Sequence, residues 1–195
     1  ADPSTIYRRV ERLEAAGLLT DEQRLDPGGH HYKEYDAALE AVHVHVRAEG
    51  YEIDIAGQPT DSVDILASLG YTDAEWTEST QIDEGTALRG VPNYTASLTA
   101  RWEIPAGPLQ GFRLSGTVFA ADDRPGDEEN TFELDGFTTL RLGLARDWRV
   151  GGETLRTRLT VKNVTDERYF VASNSKSSVV PGPPRTLRAA VEWRF

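Results

Sequence analysis

From about residue 42 to the end of the chain, apolar and polar residues alternate with period two, the spacing that sends successive side chains to opposite faces of a β-strand. The last segment shows this most cleanly. Leu187, Ala189, Val191, Trp193 and Phe195 share one face, and Thr186, Arg188, Glu192 and Arg194 the other, with Ala190 among them. Upstream, Leu155, Thr157, Leu159 and Val161 alternate with Arg156, Arg158, Thr160 and Lys162, and Leu140, Leu142 and Leu144 alternate with Thr139, Arg141, Gly143 and Ala145. The stretches 94–104 and 63–72 repeat the pattern, whereas 112–120 carries it weakly. Between Val42 and Ala56 the phase switches, from Val42, Val44 and Val46 to Tyr51, Ile53 and Ile55, which predicts a β-bulge near Glu49-Gly50.

The connections alternate as well. Short turns are expected at Gln58-Asp61, Pro105-Gly111 and Arg149-Glu153, and long polar loops at about 77–92, 122–133 and 172–184. A soluble sandwich buries its apolar face against a second sheet. A membrane barrel turns that face to lipid and, when large, keeps a wet interior. Alternation alone serves both, but short turns on one side and long loops on the other are the habit of outer-membrane barrels. The expected fold is therefore all-β: an antiparallel transmembrane β-barrel fragment of about eight strands, with short periplasmic turns and long extracellular loops, over residues 42–195. Residues 1–41 read either as a strand plus long loop or as a short helix. Thr5 to Leu19 has Ser4 as N-cap, Ile6, Val10 and Leu13 at helical spacing and Gly17 as a stop. The strand Thr5-Arg12, running into a loop that holds Asp26-Pro27-Gly28-Gly29, reads equally well.

Composition sharpens this picture. Across 195 residues, 21 Lys+Arg stand against 32 Asp+Glu, a net charge of −11. A mean hydropathy of −0.49 and the lack of any run of about 18 apolar residues exclude a helical membrane span and leave a barrel open. The absence of Cys removes disulfides and thiolate metal sites. A pI near 4.8 leaves no broad basic surface, so no nucleic acid is an expected partner. There is no Met, and the first residues carry neither a charged nor an apolar leader segment, so Ala1 reads as a cut in a longer chain.

No catalytic motif is present: there is no Gly-x-Ser-x-Gly, phosphate loop or His-Glu-x-x-His, so no enzyme and no cofactor are expected. His30-His31 sit in a Gly-rich loop, and His43 and His45 share one strand face at a spacing that suits a metal. They read more simply as solvated or lumen-facing, and no metal site is expected. Asp122, Asp123, Asp127, Glu128, Glu129, Glu133 and Asp135 crowd one loop against Arg124 alone, without EF-hand spacing, and read as a solvated outer loop.

Four stretches together resemble the C-terminal barrel portion of TonB-dependent outer-membrane receptors, especially siderophore receptors. They are Val91-Pro92-Asn93-Tyr94-Thr95-Ala96-Ser97-Leu98; Asp123-Arg124-Pro125-Gly126-Asp127 through Asn130 to Thr138; Val161-Lys162-Asn163-Val164-Thr165-Asp166-Glu167-Arg168-Tyr169; and Pro181-Gly182-Pro183-Pro184-Arg185-Thr186-Leu187 running to Phe195. A weaker likeness begins at Ala48-Glu49-Gly50-Tyr51. The resemblance implies the cell outer membrane and import of a ferric siderophore by outer-loop capture followed by energy-coupled plug movement. It implies four partners: a ferric siderophore, outer-membrane lipid, the barrel-assembly machinery, and the TonB complex through an N-terminal part not in this chain. Loop-side ligand candidates are Trp76, Tyr94, Arg124, Phe132, Arg168, Tyr169 and Phe170, cations and aromatics suited to an anionic chelate. The aromatics equally suit the interfacial girdle of any such barrel. Leu140, Leu142, Leu144, Leu155, Leu159, Val161 and Leu187 are expected to face lipid, and Val191, Trp193 and Phe195 resemble the C-terminal assembly signal of such barrels. Two alternatives stand beside this: a structural or diffusion barrel without a plug, and a regulator. Ser4-Thr5-Ile6-Tyr7-Arg8 with Arg12 to Leu19 looks like the recognition helix of winged-helix regulators.

Overall fold

The computed structural model describes residues 19–25, 31–37, 41–47 and 50–194. Among these, every regular element is a strand. In chain order they are β1 (Leu19–Leu25), β2 (His31–Ala37), β3 (Ala41–Arg47), β4 (Gly50–Thr60), β5 (Val63–Thr72), β6 (Tyr94–Glu103) and β7 (Phe112–Ala121); then β8 (Arg124–Pro125), β9 (Glu133–Leu134), β10 (Phe137–Val150), β11 (Glu153–Lys162), β12 (Phe170–Ser175), β13 (Ser178–Pro181) and β14 (Thr186–Arg194). Eight of them form one antiparallel sheet, β14-β11-β10-β7-β6-β5-β4-β3, and β1-β2, β8-β9 and β12-β13 are separate hairpins. Eight sheet strands are the number expected, and the two outer strands β3 and β14 do not pair with each other, so the sheet is an unclosed strip of wall. The winged-helix reading falls almost wholly on residues 1–18, the loop at 26–30 and the terminal Phe195 likewise, and all of these lie outside the described residues.

Register converts the alternation into two continuous faces. Leu98, Val118 and Leu140 follow one another across β6, β7 and β10, and Leu144, Leu159 and Ala189 across β10, β11 and β14. Leu142 meets Gly116 and Val161, Val161 meets Leu187, and Leu155 meets Trp193, so all seven expected lipid-side residues share one face. No second layer covers it among the described residues. Leu134 is the one buried hydrophobic residue there, and Val191 is 71% exposed. A sandwich would hide such a face; a barrel wall presents it.

Aromatic rims bound this apolar band. Tyr51, Tyr71 and Tyr94 stand side by side at the long-loop end, with ring centroids 5.4 and 5.0 Å apart. At the short-turn end, Trp102 and Trp193 share the face with Trp148, which meets Phe112 edge-on at 6.1 Å. Arg146 lies over both of those rings, at 4.6 and 4.2 Å, as a long cation does where an apolar surface meets water. Tyr94 and Trp102 are eight residues apart on β6. At ~3.4 Å per residue that is about 27 Å along the strand, or about 20 Å along the membrane normal for a strand tilted by ~40°. The band thus comes within a few ångströms of the ~25 Å apolar height usual in such barrels.

Two details differ from the sequence expectation, and a third that agrees with it gains a cause. The phase switch near Glu49-Gly50 is a hairpin and not a bulge: Arg47 pairs with Gly50, and β3 and β4 run antiparallel. Gly50 is required there because its φ is 156° and a Cβ would strike the carbonyl oxygen of Tyr71. The expected turn Gln58-Asp61 shrinks to residues 61–62, with Thr60 paired to Val63 and a register shift between Gly57 and Thr60. The weak alternation of β7 has a local cause: Gly116 falls on the apolar face and Phe119 on the inner one. Loops 73–93, 122–136 and 163–185 leave one end of the sheet, and turns 61–62, 104–111 and 151–152 the other, as expected. The β3–β4 hairpin is the exception, a close connection at the long-loop end.

Candidate functional site

At the long-loop end, three loops meet on the tripeptide Arg124-Pro125-Gly126. The carbonyl of Pro125 accepts the Gly90 N–H (2.8 Å), tying in loop 73–93. The carbonyl of Gly126 accepts the Ser173 hydroxyl, and Arg124 Nη2 donates to the Phe170 carbonyl, tying in loop 163–185. Asn130, held at φ 53°, reinforces the first tie by donating to the Ala87 carbonyl (2.9 Å) and accepting the Ala87 N–H (3.1 Å). Asparagine tolerates this left-handed backbone better than most residues, which is why it serves at such a bend.

Arg124 is the pivot. It is 4% exposed, its guanidinium lies 5.3 Å from the centre of the Phe137 ring, and that ring stacks on Tyr169 at 4.1 Å. Burial pushes its pKa below the ordinary arginine value. Arg124 Nη1 is buried with no hydrogen-bond partner among the described residues. Nearby, Phe132 packs on Gly126, where a Cβ would collide with the ring, and Lys176 Nζ stands 5.9 Å from the Phe132 centroid. The base of loop 163–185 is pinned by Asn163, which is 5% exposed and at φ 50°. Its side chain donates to the carbonyls of Glu167 (2.9 Å) and Pro183 (3.0 Å) and accepts the Glu167 N–H (2.9 Å).

Of the seven ligand candidates, the structure draws together Arg124, Phe132, Tyr169 and Phe170. Tyr94 joins the tyrosine rim of the apolar face, Arg168 is exposed on its loop, and Trp76 sits in loop 73–93 with a buried Nε1 that has no hydrogen-bond partner among the described residues. Sequence reasoning missed Phe137, Ser173 and Asn163. Only Asn163 carried a signal, an Asn-x-x-Asp run fit for a left-handed turn. His43 and His45 stack in parallel at 6.5 Å opposite Asp54 and Glu52 in register, and no group of three metal-ligating side chains converges among the described residues.

Below this mouth the inner face forms a recess of about 780 Å³ lined by seven cations and two carboxylates. Sequence reading saw only a polar face there. Asp147 takes up two of the cations, gripped by Arg156 (2.7 and 3.0 Å) and by Arg113 (3.0 Å).

An apolar band between aromatic rims, one polar inner face and tied loops at one end define a membrane β-barrel wall. A family model for the TonB-dependent receptor-like β-barrel matches residues 33–164, and the chain belongs to that family. Its members are outer-membrane proteins, and that membrane is where this wall resides. The metal-pseudopaline receptor CntO of Pseudomonas aeruginosa is 34% identical over 150 residues, which cover 76% of this chain and 21% of that protein. The ferrioxamine B receptor of Salmonella typhimurium is 27% identical over 187 residues, 95% of this chain and 25% of that one. The chain thus spans between a fifth and a quarter of these relatives' length. Among solved structures, the ferric preacinetobactin receptor BauA of Acinetobacter baumannii superposes with a TM-score of 0.64 at 23% identity, over 91% of this chain and 26% of that one, a likeness of fold.

Proposed function

We propose that this chain supplies wall and outer loops to a receptor that captures a ferric siderophore and imports it with energy from the TonB complex. The capture surface is Phe132, Tyr169 and Phe170, with Arg124 holding them in place; Trp76 and Arg168 flank it. The observation that carries the reading is the tie of three outer loops at Arg124-Pro125-Gly126, which pre-arranges aromatic faces at the mouth of the barrel. A plain diffusion barrel has no use for such a buried clasp. Lipid meets the apolar face, and the assembly machinery meets Val191 and Trp193 on the last strand together with the terminal Phe195. The relatives' names supply probes: ferrioxamine B, metal-pseudopaline and ferric preacinetobactin. Iron-starved cells expressing the complete gene product are expected to accumulate iron saturably from at least one of these, and Arg124→Ala to reduce that uptake on the order of tenfold. Absence of saturable uptake from all three would sink the assignment.

A further inference from the structure

We propose that Arg146 forms a phosphate site on the apolar face of the wall, one that takes the phosphodiester of an anionic phospholipid at the short-turn rim. The inference rests on the reading that lipid meets the apolar face, and names one headgroup contact within that meeting.

A break in the period-two pattern marks the place. Along β10 the apolar face runs Leu140, Leu142, Leu144, Arg146, Trp148 and Val150, with an arginine where a further leucine would continue the series. Register sets Thr157 opposite it, the polar member of the set Leu155, Thr157, Leu159 and Val161. Across β7, β10, β11 and β14 this face carries two charged residues, Arg146 and Glu153. A guanidinium facing lipid is costly at the bilayer midplane and nearly free of cost at the interface. Arg146 stands where the cost is least, in the row of Phe112 and two residues short of Trp148.

The side chain is held there by aromatic rings. Phe112 and Trp148 meet edge to face at 87° and form a corner, and the guanidinium lies 4.6 Å from the centre of the first ring and 4.2 Å from the second. Trp148 is fixed in turn, because its Nε1 donates to the Thr157 hydroxyl (2.9 Å). The rings attract the cation through their π faces and offer its N–H donors no oxygen. No carboxylate takes those donors either. Arg146 makes no ion pair among the described residues, and Glu153 accepts a hydrogen bond from the Trp193 indole. What remains is a planar fork with unused donors at the depth where tryptophan marks the headgroup level, and phosphate oxygens are the acceptors that such a fork grips there. An anionic headgroup is favoured over a zwitterionic one, since the one acid on this face of the four strands is already engaged and leaves a lipid ammonium no partner.

The test adds phosphatidylglycerol, phosphatidylcholine or phosphate-free diacylglycerol to the complete gene product in detergent micelles and counts bound lipid by native mass spectrometry. Phosphatidylglycerol should be retained in preference to the other two. Arg146→Gln should weaken that retention on the order of fivefold. Arg158→Gln makes the same change of charge on the inner face and should leave retention unchanged. Arg146→Lys should recover part of it, because the charge stays while the fork is lost. Phenylglyoxal footprinting needs no variant: Arg146 should be modified more slowly with phosphatidylglycerol than with diacylglycerol, and inorganic phosphate should give no protection. Equal retention of the three lipids, retention indifferent to Arg146→Gln, or equal protection by inorganic phosphate overturns the proposal. Quenching of tryptophan fluorescence by lipids with brominated acyl chains is measured in parallel. Quenching without a phosphate preference removes this site and leaves the lipid contact standing, whereas no quenching removes the lipid contact and the site with it.

Discussion

The two faces of the eight-stranded sheet are built from the same strands, residue by residue in alternation, yet they obey different rules. The outer face meets one solvent. Leucine, valine or alanine satisfies it at nearly any position, and only the rims are particular, where tyrosine and tryptophan take the boundary. The inner face is differentiated along its length: aromatic at the mouth, with Phe119, Phe137 and Tyr169, and cationic below, with Arg141, Lys162 and Arg188. A uniform environment tolerates composition, whereas a site demands position.

The largest effect should come from placing one charge on either face. Leu142→Arg puts a guanidinium in the middle of the apolar band, between Gly116 and Val161, and should cost about 2–4 kcal/mol of assembly free energy. Thr139→Arg, three residues away but on the inner face, should stay within about 0.5 kcal/mol. The measurement is the folded fraction across a urea series in detergent micelles. Equal costs for the two substitutions would mean that the faces have been assigned wrongly.

That asymmetry also explains what the sequence made legible. The apolar face was readable because a one-sided apolar surface imposes period two and little else, so Leu140, Leu159 and Leu187 fell on one face without knowledge of their neighbours. The cation recess was not readable. Arg101 and Arg188 are distant in the chain and share a row only once every intervening register is known. Arg124 was singled out as a lone cation in an acidic loop, but its burial depends on Phe170 and Phe137, which arrive from other segments. The misread at Glu49-Gly50 is instructive in the same way. A bulge and a close hairpin both invert the hydrophobic phase and both use glycine, and only the pairing of Arg47 with Gly50 separates them.

The next effect tests whether the mouth is held by polar bonds as firmly as the wall is by pattern. Asn163→Ala removes three hydrogen bonds from a buried position and should cost about 1–3 kcal/mol. Forcing alanine to φ 50° adds about 1–2 kcal/mol. Asn163→Gly loses the same bonds but relieves the backbone, so it should be the milder of the two. Urea midpoints in the same micelles decide this, and an Asn163→Gly protein as unstable as Asn163→Ala would remove backbone conformation from the account.

A smaller and more local change is expected from Arg124→Met, which keeps the apolar stem and removes the donors. Amide exchange in loop 163–185 should accelerate on the order of tenfold, equivalent to about 1.4 kcal/mol. Loop 73–93, tied through the Pro125 carbonyl and Asn130, should be unchanged. Equal acceleration in both loops would show that the tripeptide is one rigid node and not two separate ties.

The smallest effect separates the faces by pH. Asp127 accepts the Thr131 hydroxyl (2.5 Å) and backbone N–H (2.7 Å), and the hydroxyl bond is the main reason its carboxyl lies below the ordinary carboxylate range. A depressed folded-state pKa means that the stabilisation is fully present above the unfolded value of about 4 and is lost as pH falls through the lower folded value. The Thr131 amide resonance should therefore hold its position from neutral pH down to that range and shift only below it. Resonances from the middle of the apolar band, away from the Trp193–Glu153 hydrogen bond at its rim, should stay fixed throughout. A Thr131 midpoint at or above about 4 would show that the hydroxyl bond contributes nothing, since an unassisted carboxyl titrates there. In that case the local polar bonds at the mouth would be weaker than their geometry implies, and the contrast with the outer face would rest on Arg124 and Asn163.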